Sequence, residues 1–302
     1  MRINPVLKNE TKLAVRSFKF TLMIFFYVAL LSSGALFIFN MNVGDAYFNG
    51  VNLQSIVYFY IGMAVIQAIL LMFIVPSLTS TAICAEREKQ TLEVLLSTKM
   101  STLSIVIGKL LASISRVIIL IICTMPIYSI TFLIGGVNLV NILELSLFFI
   151  VTTIFVGSIG VFISTFVKTS RVATAIAYGV TLFIYVGIII LAYIVIMYNA
   201  SKANNAQDIA IPLFTYLSPT FGFASLLINQ LGNVSGLGFY GMDVVNMAQF
   251  EYGNIISIGI QIVFSVILVL VSAYKLNPLN KGIKFKRRNK KKVKNEFKKI
   301  AV

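Results

Sequence analysis

Residues 139–198 read LVNILELSLFFIVTTIFVGSIGVFISTFV-KTSR-VATAIAYGVTLFIYVGIIILAYIVIMY, and this stretch decides the fold class. Two apolar runs, 139–167 and 172–198, flank the short polar sequence KTSR. Because an α-helix rises 1.5 Å per residue, about 20 residues are enough to cross a hydrocarbon core of ~30 Å. We therefore expect two membrane-spanning helices joined by a tight turn that carries Lys168 and Arg171.

The rest of the chain repeats this pattern. Of its 302 residues, 58% are hydrophobic and 12% are charged, whereas a soluble domain carries about 25% charged residues. The sequence predicts an all-α polytopic membrane protein with six transmembrane helices, a six-span domain over 21–274. The expected spans are about 21–40, 56–80, 103–134, 139–167, 172–198 and 254–274.

One further apolar segment, Ile209–Leu231, competes for a seventh span. Pro212, Pro219 and Gly222 interrupt it, and proline in a helix interior breaks the hydrogen-bond pattern. We expect this segment to lie on, or dip into, the outer surface, as part of an extracytoplasmic loop over 199–253.

Basic residues fix the expected orientation. With the N-terminus inside, every Lys and Arg except Lys202 falls in or beside a cytoplasmic segment, as the positive-inside rule requires. The sequence therefore predicts a multi-pass protein of the bacterial cytoplasmic membrane with both termini in the cytoplasm.

Both termini carry membrane-surface signals. Residues 1–20 predict an interfacial amphipathic helix that begins at Asn4-Pro5 and lies in the membrane plane; an ordinary solvated helix is the alternative. The tail, 275–302, is strongly basic. Such a tail next to a span favours contact with anionic lipids, and we expect no nucleic-acid partner, since the tail is short and tethered at the membrane.

The sequence argues against an enzyme. It contains no histidine and two cysteines, Cys84 and Cys123, so the usual general base and metal ligands are missing. We expect no catalytic, cofactor-binding or metal-binding residue in this chain. Intramembrane proteolysis would need histidines or paired intramembrane carboxylates, and neither occurs here.

Two ionisable residues are candidate pathway or interface charges inside the predicted spans, Arg116 and Glu144. Their depths differ by roughly 20 Å at the helical rise, so a direct ion pair is not expected. Arg116 is expected to extend toward the cytoplasmic headgroups and Glu144 to lie at the outer interface. Small residues along one face of span four, at 157, 160 or 161, and 164, predict close helix packing. The nearly uncharged midplane favours an amphipathic or hydrophobic cargo.

The connection between spans two and three, 82–102, carries the most specific pattern. We expect Glu86–Leu96 to form one short cytoplasmic helix with Leu92, Leu95 and Leu96 on an apolar face. Arg87, Lys89 and Glu93 would remain available to water or to a partner. Such a helix could dock in a groove of another protein, or it could pack its leucines on the membrane surface, and the pattern does not separate the two.

Residues 82–112, AICAEREKQTLEVLLSTKMSTLSIVIGKLLA, resemble the signature of the permease subunits of type-2 ATP-binding-cassette (ABC-2) exporters. That signature reads roughly E-R-E-x-G-T-L-E-x-L-L-x-T-P followed by G-K. Gln90 and Lys99 stand where the family has glycine and proline. The matching residues are Glu86, Arg87, Glu88, Thr91, Leu92, Glu93, Leu95, Leu96, Thr98, Gly108 and Lys109.

The resemblance implies a division of labour. The 82–102 segment would be a coupling segment, with Glu86, Arg87, Glu88, Thr91, Leu92, Glu93, Leu95 and Leu96 contacting a cytoplasmic ABC ATPase subunit. ATP and Mg²⁺ would be bound by that partner, because this chain has no G-x-x-x-x-G-K-[ST] sequence. A second permease, identical or related, would complete an exporter. The alternatives are a non-transporting membrane anchor or regulatory partner of an ATPase, and an ATPase-independent carrier.

Overall fold

The computed structural model describes residues 17–43, 53–97, 100–135, 137–202, 211–231 and 252–277. Most of residues 1–20, two parts of the 199–253 loop (203–210 and 232–251) and nearly all of the 275–302 tail lie outside these ranges, as do Thr98 and Lys99. Within the described part the ordered elements are all helical. They are α1 Phe18–Val43, α2 Leu53–Thr79, α3 Cys84–Glu88, α4 Leu92–Leu96, α5 Thr102–Leu133, α6 Leu139–Phe166, α7 Ser170–Leu182, a π-helical turn Phe183–Gly187, α8 Ile188–Lys202, a 3₁₀ turn Leu213–Leu217, α9 Pro219–Leu231 and α10 Gly253–Leu276.

Six helical stretches among the described residues are long and apolar enough to cross a membrane. They are α1, α2, α5, α6, the continuous helix from α7 through α8, and α10. Each of the six predicted spans falls on one of them, so the predicted all-α, six-span architecture is confirmed. Among the described residues 211–231 there is no span: α9 has 13 residues, ~20 Å of helix, which is too short for a ~30 Å core.

The spans alternate in direction, so their connections gather at two ends. One end, here called the α3 end, brings α3 against Ser164, Val167 and Ser170. The opposite end, called the α9 end, joins Gln230 of α9 to the carbonyl oxygen of Asn141 near the start of α6. Any site built from loops must therefore lie at one of these two ends.

The helices α5 and α6 form the centre of the bundle, and α6 packs against α2, α5 and α10. Small residues permit this approach. A side chain at Gly160 would come within 3.2 Å of the backbone nitrogen of Ser80, and one at Gly157 within 3.3 Å of Leu110 Cδ1. The predicted small-residue packing face of α6 is therefore confirmed.

The span that contains α7 and α8 is interrupted by one π-helical turn, Phe183–Gly187. A π turn changes the regular hydrogen-bond pattern, and a carbonyl freed inside a membrane needs another donor. The carbonyl oxygen of Tyr185 accepts hydrogen bonds from Thr220 Oγ1 at 2.9 Å and from Ser218 Oγ at 3.5 Å. The segment leading into α9 thus satisfies this irregular turn.

Candidate functional site

The segment between the second and third spans contains two helices rather than one. The predicted single helix over Glu86–Leu96 is wrong: α3 and α4 have five residues each and are separated by a turn at Lys89–Thr91. Gln90 causes the break, because its φ of 59° lies in the left-handed region, which cannot continue a right-handed helix. Glycine, the residue usual in the resembling signature, adopts this conformation without steric cost.

This segment lies beyond the membrane-spanning part of α2. The largely helical stretch Ser55–Glu88, which ends in the charged residues of α3, has 34 residues, whereas ~20 are enough to cross the hydrocarbon core. The 27 residues of α2 alone suffice for the crossing. The charged residues of α3 can therefore interact with the ends of neighbouring spans outside the hydrocarbon.

Arg87 joins α3 to the end of α6. Its guanidinium donates from Nη1 to the carbonyl oxygen of Val167 at 2.7 Å and from Nη2 to that of Thr165 at 3.0 Å. The last carbonyls of a helix have no partner within the helix, and a cation is stabilised near them by the helix dipole. Arg87 is thus committed to its own chain, which corrects the expectation that it is available to water or to a partner.

The start of α3 is held by Ser164 of α6. The Ser164 hydroxyl oxygen accepts hydrogen bonds from the backbone N–H groups of Ile83 and Cys84, both at 2.9 Å. The buried thiol of Cys84 donates in turn to the carbonyl oxygen of Ser164 at 3.1 Å. These contacts satisfy backbone donors at the start of a helix that has no local side-chain cap.

Glu88 joins α3 to the start of α7. Its carboxylate accepts hydrogen bonds from the backbone N–H of Ser170 at 2.8 Å and from the Ser170 hydroxyl at 2.7 Å. A negative charge is favourable at a helix N-terminus. The two hydrogen bonds from Ser170 also lower the pKa of Glu88 below its usual range, so the carboxylate is charged at neutral pH.

Glu86 joins α3 to α5. Its carboxylate forms a 2.7 Å ion pair with Lys109, and it also accepts a short hydrogen bond from the hydroxyl of Thr91. Partial burial alone would raise the pKa of Glu86, but the hydrogen bonds from Lys109 and Thr91 outweigh this and hold the pKa below its usual value. Lys109 is buried, so the ion pair also neutralises a lysine that would otherwise be costly to bury.

Together these contacts form what we call the ERE clasp, defined as Glu86, Arg87 and Glu88 with their partners on α5, α6 and α7. Three successive charged residues thus contact three different spans. Because the contacts point in three directions, α3 is fixed in both position and orientation. The clasp therefore connects α3 directly to three helices of the transmembrane bundle.

The leucines of the segment also face inward. Leu92 is buried and packs in an apolar cluster with Ile105 and Val106 of α5, and Leu95 and Leu96 pack against this cluster. The apolar face therefore packs on the protein's own bundle, with Leu92 buried and Leu95 and Leu96 partly exposed; whether a partner contacts these leucines stays a prediction. The outward surface consists of Lys89, Gln90, Thr91, Glu93, Val94 and Ser97, which are exposed.

The two candidate intramembrane charges lie toward opposite ends. The Arg116 guanidinium reaches back along α5, donating to the carbonyl oxygen of Ala112 and to Ser113 Oγ, both at 3.3 Å. It points toward the α3 end. Glu144 is exposed near the start of α6, and its Oε2 accepts from Gln230 Nε2 at 3.1 Å. The structure does not bring these residues into one site.

A comparison with protein-family models matches residues 5–276 to the family described as "ABC-2 family transporter protein". The chain belongs to the ABC-2 transporter family. This match covers nearly the whole chain and confirms the resemblance found at residues 82–112. No curated protein matches the chain.

As an ABC-2 family membrane protein, the chain has a permease role in an ABC transporter. A permease of this family implies an ABC ATPase partner in general. In the part of the chain that the structure describes, no group of three or more His, Cys, Asp or Glu residues could hold a metal ion.

The sequence did not predict which residues of the spans hold α3 in place. Lys109 appeared as a motif position, but its buried ion pair with Glu86 joins residues 23 positions apart. Ser164 appeared as a small packing residue, and its role as an acceptor depends on α6 meeting α3. The available signal was chemical: a small hydroxyl residue within three residues of the end of an apolar helix can bond a neighbouring backbone.

Proposed function

We propose that this permease is the membrane subunit of an exporter whose ATPase subunit docks on the exposed surface of α3 and α4. The observation that carries this proposal is the division of the segment into two faces. One face is fixed to α5, α6 and α7 by the ERE clasp, and the other face is exposed. A displacement applied to the exposed face would pass directly to three spans.

The docking surface is defined as Lys89, Gln90, Glu93, Val94 and Ser97. Val94 is 68% exposed, and it lies beside Glu93 and near Lys89. An exposed apolar side chain surrounded by charged and polar groups fits the arrangement of a buried anchor inside a polar rim. ATP and Mg²⁺ are bound by the partner in this proposal, and export follows from the likeness to type-2 exporters.

The proposed assembly contains two permeases, identical or related, with both termini and the docking surface in the cytoplasm. Its basic tail contacts anionic lipids. The peripheral spans offer surface for a second permease. In the single chain, only 17% of the most apolar segment of α1 is buried, and the same share of that of the α7–α8 helix, whereas 67% of that of α6 is buried. The cargo in this proposal is amphipathic or hydrophobic, since the centre of the bundle is largely apolar.

The docking surface can be tested by site-specific crosslinking in native membranes. A Val94→Cys variant, with Cys123 replaced by alanine, should crosslink to a protein that carries a G-x-x-x-x-G-K-[ST] sequence and hydrolyses ATP. Cys84 is buried and should not react. The matched control is Leu133→Cys, which is 79% exposed at the α9 end and should not capture the ATPase.

The same two cysteines test the orientation. A membrane-impermeant thiol reagent added to intact cells should label Leu133→Cys and spare Val94→Cys. Labelling of Val94→Cys from outside would contradict the proposal, because a cytoplasmic ATPase could not reach that surface. Crosslinking of an ATPase to Leu133→Cys with none at Val94→Cys would contradict it equally.

A further inference from the structure

A cavity of about 390 Å³ lies inside the bundle, remote from the ERE clasp. Its walls come from α2, α6, the π-helical turn with the start of α8, and α9. This volume lies within the range of ~300–1,000 Å³ that is usual for small-molecule pockets.

The cavity wall is largely apolar, and the hydroxyl groups of its three threonines are engaged inside the protein. Thr152 donates its hydroxyl to Gln261 Oε1 at 3.3 Å, Thr153 to the carbonyl oxygen of Phe149 at 2.7 Å, and Thr220 to that of Tyr185 at 2.9 Å. Each of these threonines therefore uses its single hydroxyl proton inside the protein. A polar ligand would find no hydroxyl donor among them, whereas a hydrocarbon would lose nothing by entering.

The cavity opens sideways, toward the bilayer. Val65 and Ile69 of α2 are 39% and 49% exposed, and Val186 and Ile190, on the facing span, are 48% and 55% exposed. All four line the cavity and also belong to membrane-spanning helices. Its mouth therefore lies between two spans at the depth of the hydrocarbon core, where the neighbouring molecules are lipid acyl chains.

The shape of the cavity follows the spans. Its lining along α2 runs from Ile61 to Val75, a rise of ~21 Å at 1.5 Å per residue. This covers most of a ~30 Å hydrocarbon core. An apolar cavity does not hold water, and an empty one would forfeit dispersion contacts along its whole wall.

We propose that this cavity binds one acyl chain of a membrane phospholipid, which enters from the bilayer between α2 and the π-helical turn. The headgroup stays in the headgroup layer, because the wall is largely apolar and its three threonines already donate their hydroxyl protons inside the protein. The π turn helps to form the site: it places Val186 at the mouth, while Ser218 just before α9 and Thr220 in its first turn donate hydrogen bonds to the carbonyl oxygen of Tyr185. The proposal concerns a bound lipid and is independent of the ATPase and of the direction of transport.

The chain contains no tryptophan, so one introduced tryptophan can report on the cavity. Phe223 lines the cavity yet is only 9% exposed. In nanodiscs of phosphatidylcholine with brominated acyl chains, the emission of Phe223→Trp should fall about as strongly as that of Phe264→Trp, which stands on α10 and is 43% exposed. Phe155→Trp, a 2% exposed site on α6 outside the cavity wall, should keep its emission.

A second change separates entry into the cavity from quenching through the protein surface. Ala68→Phe fills the cavity and should restore the emission of Phe223→Trp, while Ala29→Phe on exposed α1 should leave the quenching unchanged. Ala224→Phe, from the opposite wall, replaces Ala68→Phe if that variant does not fold. Two results would overturn the proposal: unquenched Phe223→Trp, as when a second copy of the chain covers the mouth, or quenching that survives both filling substitutions.

Discussion

The ERE clasp makes a quantitative prediction at Arg87. Replacing Arg87 with alanine removes both hydrogen bonds from α3 to the end of α6, at 2.7 and 3.0 Å. A hydrogen bond to a charged group contributes about 1.5–3 kcal/mol. Because the site is half-exposed and water can reach the freed carbonyls, we take roughly 2 kcal/mol for the pair together. At 1.36 kcal/mol per tenfold, that favours local opening of α3 by about 30-fold.

Cys84 provides the assay for this opening. Cys84 is the first residue of α3, and its side chain is fully buried against the end of α6. There the thiol donates to the carbonyl oxygens of Ser164 and Val167. A thiol reagent reaches it only when α3 opens, so the labelling rate follows the population of the open state. With Cys123 replaced by alanine, Cys84 is the single thiol. Labelling of Arg87→Ala should be about 30-fold faster than that of the parent protein.

Two comparisons make the result specific. Lys89→Ala removes the same charge two positions away, from an exposed side chain, and should label at nearly the parental rate. Arg87→Lys keeps the charge but loses the fork that reaches two carbonyls, so its rate should be intermediate. The reasoning is refuted if Arg87→Ala, with unchanged helix content by circular dichroism, labels no faster than Lys89→Ala.

Three other changes test separate parts of the segment. Ser164→Ala removes the acceptor shared by two backbone N–H groups and should accelerate Cys84 labelling, with a cost of about 1–3 kcal/mol; Ser158→Ala, whose hydroxyl donates within its own helix, should not. Gln90→Gly removes the steric cost of a side chain in the left-handed conformation. It should stabilise the closed segment by about 1 kcal/mol and so slow the labelling of Cys84. The lowered pKa of Glu88 means that its contact is complete above the usual carboxyl range and is lost as the pH falls through the lowered pKa. Peptide-resolved hydrogen exchange, corrected for intrinsic pH dependence, should show that loss, and Glu88→Gln should abolish its pH dependence.

The spans could be predicted from the sequence because a membrane imposes a simple requirement of about 20 apolar residues in a helix. Pro219 marks the start of the 13-residue helix α9, whereas Gly222 lies inside it and does not interrupt it; the extracytoplasmic placement of 199–253 stays a prediction. The internal structure of the coupling segment could not be predicted in this way. A helical pattern in Glu86–Leu96 does not reveal that Gln90 adopts a positive φ, because tertiary contacts on both sides of the turn hold it there.

The leucine face shows a second limit. Apolar residues at helical spacing indicate a buried face, but they do not indicate which protein buries it. In this chain Leu92 is buried against Ile105 and Val106 of α5, and Leu95 and Leu96 pack against the same apolar cluster. The burial follows from the position of α4 beside α5, and that position depends on contacts between residues far apart in sequence.

The charged triplet was interpreted as a partner-binding motif, and its geometry argues for a different distribution of roles. Docking requires side chains that are free to meet a partner, yet Glu86, Arg87 and Glu88 each direct their charge to a span of their own chain. A partner at this surface would meet the residues that follow, Lys89 to Ser97. The triplet therefore attaches the segment to the spans, and under the proposed function the exposed side chains of the turn and α4 are the ones that the ATPase would contact. Weakening the clasp should uncouple the spans from the ATPase while the ATPase still docks. Changing Val94 should instead weaken docking of the ATPase while the clasp stays intact.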